Sequence, residues 1–138
     1  MTFYFRYKQI NNFTRPIVIF SIKGIEFFGI IDSGADSSIM PKEVAEVLGI
    51  NIEKLADDEI RTVSGQLVKV KRAYFDVGFK DLRENKTINK VPFHISLDNS
   101  LKDIVIGRAG IFDNFTITFE QMYKRVSLKY NPKKVYER

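Results

Sequence analysis

The feature that most constrains the fold is a pair of apolar runs separated by two turn-forming residues. The runs extend from Pro16 to Ile22 and from Ile25 to Ile31, with Lys23-Gly24 between them. β-Branched and aromatic residues dominate both runs, and a two-residue connection ending in glycine predicts a tight β-hairpin. Because both runs are almost continuously apolar, we expect both strands to lie in the core. Asp32 then places a carboxylate directly at the end of the second strand.

The rest of the chain predicts short strands and little helix. Pro41 to Leu48 is the best helix, since proline suits the first helical position and Gly49 suits the end. We expect a polar loop from Asp81 to Asn89 and a second short helix near residue 110, within Arg108 to Asn114. Further strands are predicted at Glu59 to Val63, Gln66 to Phe79, Lys90 to Leu97, Leu101 to Ile106, Phe115 to Phe119 and Arg125 to Leu128. This pattern predicts one all-β domain over residues 1–138, a barrel or a sandwich.

The composition excludes several kinds of chemistry. The chain has no cysteine, so disulfides, thiolate nucleophiles and cysteine-based zinc sites are excluded. Its single histidine, His94, argues against a histidine-rich metal site and against most Ser-His-Asp arrangements, and we interpret it as a structural or surface residue. No apolar run approaches the roughly 18 residues of a membrane span. With no secretory signal pattern at the N-terminus either, we expect a cytoplasmic protein without membrane association.

The net charge of +5 is concentrated at the C-terminal end. Residues 123–138 carry six basic side chains against one acidic side chain, so residues 1–122 sum to zero. A general basic surface for nucleic acid is therefore not favoured. We interpret the basic tail, residues 129–138, as a solvated terminus. Weak contact of this tail with RNA or an acidic partner remains open.

The segment Ile30 to Ser38 could carry chemistry. Its apolar strand would hold Asp32 in place, and Gly34 could donate its N–H to the carboxylate while allowing backbone to approach closely. Ser33 supplies a hydroxyl that could bond to backbone across an interface. Asp-Ser-Gly is also a common turn, so this triplet alone is weak evidence. Asp32 and Asp36 lack a surrounding oxygen cluster, so we predict neither a metal nor a cofactor.

Two later segments add to this pattern. The apolar run from Asp103 to Ile106 ends in Gly107, and Arg108 follows, whose guanidinium could pair with a carboxylate such as Asp36. The segment from Thr62 to Leu67 is typical of a hairpin tip with a flexible glycine. Such a hairpin is either an edge of the sheet or a lid.

Taken in order, these three segments resemble the retropepsin family, the single-domain aspartic proteases of retroviral type. The resemblance covers about residues 14–130 and is closest to a cellular, prokaryotic-type member. It implies a closed β-barrel assembled as a homodimer. The sequence departs from the viral pattern in having Ser33 where threonine is usual, in added length at Asn51 to Asp58 and Asp81 to Asn89, and in a tail from Lys129.

The resemblance also implies roles for individual residues. Asp32 matches the catalytic aspartate, and Ser33 matches the hydroxyl residue that bridges the two halves beneath the catalytic pair. Gly34 matches the glycine whose backbone lies beside the substrate, and Ala35 completes this active-site loop. Asp36 and Arg108 match an ion pair that braces the site. The flap tip corresponds to Val63, Ser64, Gly65 and Gln66.

Aspartic proteolysis needs two carboxylates that share one proton. The chain holds one Asp-Ser-Gly triplet, so we expect a homodimer that joins Asp32 with its symmetry mate and cleaves peptides or proteins. The substrate would lie extended in an apolar cleft lined by Ile30, Ala35 and Val63. The alternative is a dimeric peptide-binding or scaffold module that keeps the fold without catalysis.

Overall fold

The computed structural model describes residues 1–132, and strands account for most of them. One regular helix, α1 (Lys42–Val47), is accompanied by short helical turns at Ile52–Lys54, Arg108–Phe112 and Gln121–Tyr123. The strands are β1 (Thr2–Arg6), β2 (Lys8–Ile10), β3 (Phe13–Arg15), β4 (Ile17–Ile22), β5 (Ile25–Ile31), β6 (Ser38–Pro41), β7 (Ala56–Arg61), β8 (Leu67–Lys80), β9 (Asn85–Ser96), β10 (Ile104–Ile106), β11 (Phe115–Glu120) and β12 (Arg125–Tyr130).

Seven of these strands form the main sheet, in the order β4-β5-β10-β6-β9-β8-β7. Strand β10 lies between β5, to which it is parallel, and β6, to which it is antiparallel. One further pair, Ser21 with Gly78, joins β4 to β8. A second sheet has the order β1-β12-β11, and β2 pairs with β3. The prediction of a mostly β chain is confirmed, whereas closure of the barrel and assembly of two copies remain predictions.

The β4–β5 hairpin forms as its sequence predicts. Lys23 and Gly24 have φ values of 51° and 77°, the left-handed conformation that a tight two-residue hairpin turn requires. Strand β4 is largely buried, but the first half of β5 is mostly exposed, so the expectation that both strands lie wholly in the core is wrong. Some apolar side chains in this half of β5 lie on the solvent-facing side of the sheet. Only the end of β5, next to Asp32, is enclosed.

The α1 helix confirms the predicted segment within one residue at each end. Pro41 precedes it in extended conformation, and the Leu48 N–H closes the last turn on Val44. Gly49 follows with a φ of 74°, a conformation that glycine adopts at little cost. Ala45 and Leu48 are buried, so the helix packs against the sheet through these two residues. Val47, which the spacing predicted on one apolar face with Val44 and Leu48, is instead 63% exposed.

The predicted polar loop from Asp81 to Asn89 is wrong in extent, because β9 begins at Asn85 and the loop is only four residues long. Asp81 closes this short turn by accepting the N–H groups of Arg83 and Glu84 at 2.8 Å. The early part of β9 is polar because one side of it faces solvent. A bulge lies opposite Asp76, whose carboxylate accepts the Lys90 N–H at 3.0 Å.

Three further expectations need correction at their boundaries. Strand β10 covers only the last three residues of the predicted run from Leu101, because the Asp98 carboxylate holds the preceding segment in a turn through Ser100. A helical turn near residue 110 is present, but its backbone leaves helical geometry at Ala109 and Gly110. Strand β12 extends to Tyr130, so the predicted tail begins inside a strand.

Residues 133–138, which hold most of the predicted basic tail, lie outside the described residues. The strands at the N-terminus were not predicted; β1 pairs with β12 over its full length. Phe3 of β1 packs 6.1 Å from the Phe79 ring, which in turn packs 5.2 Å from Phe115, so an aromatic cluster joins the two sheets. Within residues 1–132, no helix has the length and apolar character needed to cross a membrane.

Candidate active site

Asp32 directly follows the buried end of β5, and a hydrogen bond to a neighbouring strand fixes its backbone. Its N–H donates to the Ile106 carbonyl at 2.9 Å, which extends the parallel β5–β10 pairing by one residue. Its side chain is exposed, and its Oδ1 accepts the Gly34 N–H at 2.8 Å, as the sequence predicts. The main chain is therefore fixed while the carboxylate remains accessible.

The loop after Asp32 is locked to the segment after β10 by backbone hydrogen bonds. The Arg108 N–H donates to the Ala35 carbonyl and the Ala109 N–H to the Asp36 carbonyl, both at 2.9 Å. A Cβ atom on Gly107 would overlap the Ser37 carbonyl oxygen and lie 2.8 Å from the Ala35 carbonyl oxygen. Only glycine fits this crossing, so Gly107 permits the two segments to touch.

Ser38 is a positioning residue that the sequence analysis missed. Its side chain is fully buried, and its hydroxyl accepts the Gly107 N–H at 3.1 Å. A buried N–H without a partner is costly, so this hydroxyl stabilises the crossing of the two loops. The partners are 69 residues apart in sequence, and no local pattern signals such a contact.

Asp36 and Arg108 are brought together as the sequence predicts, through Oδ1 and Nη2. The Asp36 side chain is 90% exposed and that of Arg108 is 53% exposed. An ion pair this open to water and salt contributes little, typically below about 1 kcal/mol. Bracing of the loops therefore comes mainly from the backbone hydrogen bonds.

The predicted flap tip is the turn between β7 and β8. The Thr62 N–H donates to the Gln66 carbonyl and the Gly65 N–H to the Thr62 carbonyl, both at 2.9 Å. Gly65 has a φ of 86°, a backbone conformation that is strained for residues with a Cβ atom and therefore favours glycine. The Ser64 hydroxyl lies 2.9 Å from that of Thr62, and the Val63 side chain is fully exposed.

An open groove of about 570 Å³ lies beside Asp32. Ile30 lines it together with Asp103 and Val105, whereas Ala35 and Val63, which were also expected in the cleft, do not line this groove. The β2–β3 hairpin supplies a further wall that the sequence analysis did not anticipate, with Ile10, Phe13 and Arg15. The groove thus combines apolar surface with charged groups of both signs next to the candidate catalytic carboxylate.

A second polar arrangement lies close to the loop. His94 Nδ1 is 2.7 Å from the Ser37 hydroxyl, and His94 Nε2 is 2.9 Å from Asp58 Oδ2. The Glu59 N–H and the His94 ring both donate to the Asp58 carboxylate, and they hold its pKa below the ordinary value; Arg72 acts in the same direction. The interpretation of His94 as structural agrees with this setting, but its partners were not foreseen.

Among residues 1–132, no three His, Cys, Asp or Glu side chains cluster in a way that could hold a metal ion.

Comparison with known proteins identifies the family. The model of the family described as "gag-polyprotein putative aspartyl protease" matches residues 18–109, more than half of the chain. The fold is similar to the crystal structure of a retropepsin-like aspartic protease from Rickettsia conorii, with a TM-score of 0.66 and 15% identity over 94% of this chain and 93% of that chain. No curated protein sequence matches. The predicted resemblance is confirmed: the chain belongs to the gag-polyprotein aspartyl protease family and has a retropepsin-like fold.

Proposed function

We propose that this protein is an aspartic endopeptidase whose active form is a homodimer. The observation that carries the proposal is the Asp32 carboxylate, exposed at the end of a buried strand on a backbone locked to the Gly107 segment. Family membership supports aspartic peptidase chemistry. The sequence contains one Asp-Ser-Gly triplet, so a second copy must supply the second carboxylate.

In the proposed dimer, the two Asp32 side chains face each other across the symmetry axis and share one proton. Two carboxylates about 3 Å apart do not both ionise, so one acts as base and the other as acid. The ionised group takes a proton from a water molecule held between them, and the protonated group polarises the scissile carbonyl. The pair titrates as a unit, so its apparent pKa values belong to both residues.

The surrounding loop supports this proposal. The Gly34 N–H donates to Asp32 Oδ1, which orients the carboxylate. Ser33 is exposed in the single chain, where its hydroxyl is accessible to the loop of a second copy. We assign Ala35 to the floor of the cleft and the exposed pair of Asp36 and Arg108 to its rim.

A flap completes the proposed cleft. Within residues 1–132, the turn of the β7–β8 hairpin is held only by its own hydrogen bonds, and it has an exposed apolar side chain, Val63, at its tip. Those features suit a lid that closes over an extended peptide. The substrate would add to the cleft as a strand, with main-chain hydrogen bonds for affinity and the groove beside Ile30 for side-chain selection.

The decisive experiment compares Asp32→Asn with the parent protein on a peptide library from acid to neutral pH. We expect loss of all cleavage, with the dimer intact by analytical ultracentrifugation, because an amide cannot exchange the shared proton. Asp57→Asn is the matched control, since this carboxylate is exposed on β7 and pairs with Lys71 at 2.6 Å. Cleavage by Asp32→Asn at the parent's rate would refute the proposal.

The same experiment separates catalysis from simple binding. A statine-type inhibitor, which mimics the tetrahedral intermediate, should block cleavage by the parent protein. A dimer that binds peptides but cleaves none of them at any pH would instead support the alternative, a non-catalytic peptide-binding or scaffold module on this fold.

A further inference from the structure

Three elements that are distant in sequence meet at His94. Its Nδ1 lies 2.7 Å from the hydroxyl of Ser37, which follows the loop of Asp32. Its Nε2 lies 2.9 Å from the carboxylate of Asp58, on the first arm of the β7–β8 hairpin. The sequence separations are 57 and 36 residues. A continuous chain of side chains therefore connects the active-site loop with the proposed flap.

The chemistry of the three groups fixes the direction of each hydrogen bond. An ionised carboxylate only accepts, so Nε2 of His94 must carry a proton and donate it to Asp58. Nδ1 of the neutral ring is then an acceptor, and the Ser37 hydroxyl donates to it. If the ring becomes protonated, Nδ1 donates and the Ser37 oxygen accepts. Both hydrogen bonds survive in either charge state.

The surroundings keep this chain ordered. The His94 side chain is only 15% exposed, and its strand pairs on one side with Ile39 of β6 and on the other with Arg72 of β8. Arg72 Nη1 lies 3.8 Å from Asp58 Oδ2, the same carboxylate oxygen that His94 Nε2 contacts. Hydrogen bonds shielded in this way are stronger than exposed ones.

We propose that His94 is a positioning residue that holds the base of the β7–β8 hairpin at a fixed distance from the active-site loop. The hairpin tip can then move while its base remains in register with Asp32. This inference rests on the proposed function, because the link can help to hold a bound peptide only if the protein binds peptides. Loss of the link should weaken peptide binding more than it slows bond cleavage.

Serine, histidine and aspartate also form the catalytic triad of serine hydrolases. In that alternative, Ser37 would be a nucleophile. Acyl transfer needs backbone N–H groups that are free to stabilise an oxyanion. On the segment facing this loop, the N–H groups of Gly107, Arg108 and Ala109 donate to Ser38, Ala35 and Asp36. These donors are already engaged, so the geometry favours a structural link over a nucleophile.

Nitrogen-15 NMR of the imidazole tests the link directly, because His94 is the single histidine in the chain. In the free protein at about pH 8, where histidine is ordinarily neutral, we expect the proton to reside on Nε2. Asp58→Ala should give a mixture of tautomers, whereas Asp57→Ala should leave the spectrum unchanged, since Asp57 is 89% exposed and pairs with Lys71. Identical spectra for the parent and Asp58→Ala would overturn the proposal, whether or not the protein cleaves peptides.

Kinetics test the role of the link. We expect Asp58→Ala and Ser37→Ala to raise KM about threefold to tenfold, the range for one hydrogen bond, with kcat within about twofold. His94→Gln, whose amide can still reach Asp58, should recover part of the loss seen in His94→Phe. Equal KM values for Asp58→Ala and Asp57→Ala would refute the role. Labelling of Ser37 by a fluorophosphonate would refute it in favour of a nucleophile.

Discussion

The active-site loop and the tip of the β7–β8 hairpin are both short turns with a glycine, yet they are held in different ways. The loop after Asp32 is bonded to other parts of the chain, through Ile106, Gly107 and the two residues that follow. In the part of the chain that the structure describes, the tip forms hydrogen bonds only within its own hairpin, including Arg61 Nη1 to the Gly65 carbonyl at 2.9 Å.

Two turns of one fold can therefore differ in how firmly tertiary contacts hold them. A carboxylate that must meet its mate within hydrogen-bond distance needs a backbone fixed by tertiary contacts. A lid must open and close, and segments with few buried contacts open at low free-energy cost. We therefore expect substitutions in the loop to reduce stability and those in the tip to change peptide binding.

The largest expected effect is that of Gly107→Ala. The new methyl group would overlap the Ser37 carbonyl oxygen, so the two loops must separate. We expect the free energy of unfolding to fall by about 3 kcal/mol, the upper range for overpacking, with loss of peptide cleavage. Denaturant titration measures the first effect. A loss below about 1 kcal/mol would show that the loops are not rigidly held.

Ser38→Ala should have the next largest effect. It removes the hydroxyl that accepts the buried Gly107 N–H, which then lacks this partner. We expect a loss of about 2 kcal/mol, within the range for an unsatisfied buried group. Ser64→Ala at the hairpin tip is the matched control and should leave the stability unchanged, because the hydrogen bond between the Ser64 and Thr62 hydroxyls is exposed to solvent. Equal losses of unfolding free energy in Ser38→Ala and Ser64→Ala would show that the active-site loop and the hairpin tip are held equally firmly.

Gly65→Ala tests the tip itself. Among the described residues, no atom beyond the two chain neighbours of Gly65 lies within 4 Å of the added Cβ, so the cost comes from the φ of 86°. We expect a loss of about 1 kcal/mol in stability, with a rise in KM because the turn at the flap is strained. Unfolding and peptide kinetics on the same preparation separate these effects. A fall in kcat alone would contradict a role for the tip in closing over the peptide.

Asp36→Asn should have a smaller effect on the free energy of unfolding of the single chain. The ion pair with Arg108 is exposed, and we expect a change of about 0.5 kcal/mol that disappears at high salt. Thermal unfolding at low and high ionic strength provides the measurement. A loss of several kcal/mol, as for a buried pair, would mean that the ion pair braces the loop more than the backbone hydrogen bonds do.

The smallest expected effect is the acid dependence of the link between the two regions. Hydrogen bonds from the Glu59 N–H and the His94 ring lower the pKa of Asp58 in the folded protein. A lowered folded pKa stabilises the protein above the ordinary carboxylate value, about 3.9, and this stabilisation is lost as the pH falls through the folded pKa. The stability gap between the parent and Asp58→Ala should therefore shrink on acidification. A gap that widens would contradict the assigned contacts.

Some elements could be predicted because their signals are local. The β4–β5 hairpin, α1 and the turn at Gly65 each depend on residues within a few positions of one another, where turn chemistry and apolar spacing act directly. The start of β9 was missed because a polar, half-exposed strand has no apolar run, and its partner β8 supplies the pairing. Strand β1 was missed for a different reason: its partner β12 lies far away in sequence, so no hairpin pattern marks the pair.

The family, the mostly β fold, the position of Asp32 at the end of an apolar strand and its hydrogen bond from Gly34 could be inferred from sequence, because they depend on short patterns along the chain. The contacts that join the Asp32 loop to distant segments became visible in the folded chain alone. Ser38 meets Gly107, and His94 joins Ser37 to Asp58, across 36 to 69 residues of chain. Contacts of this kind follow from strand order and register, which no local pattern encodes.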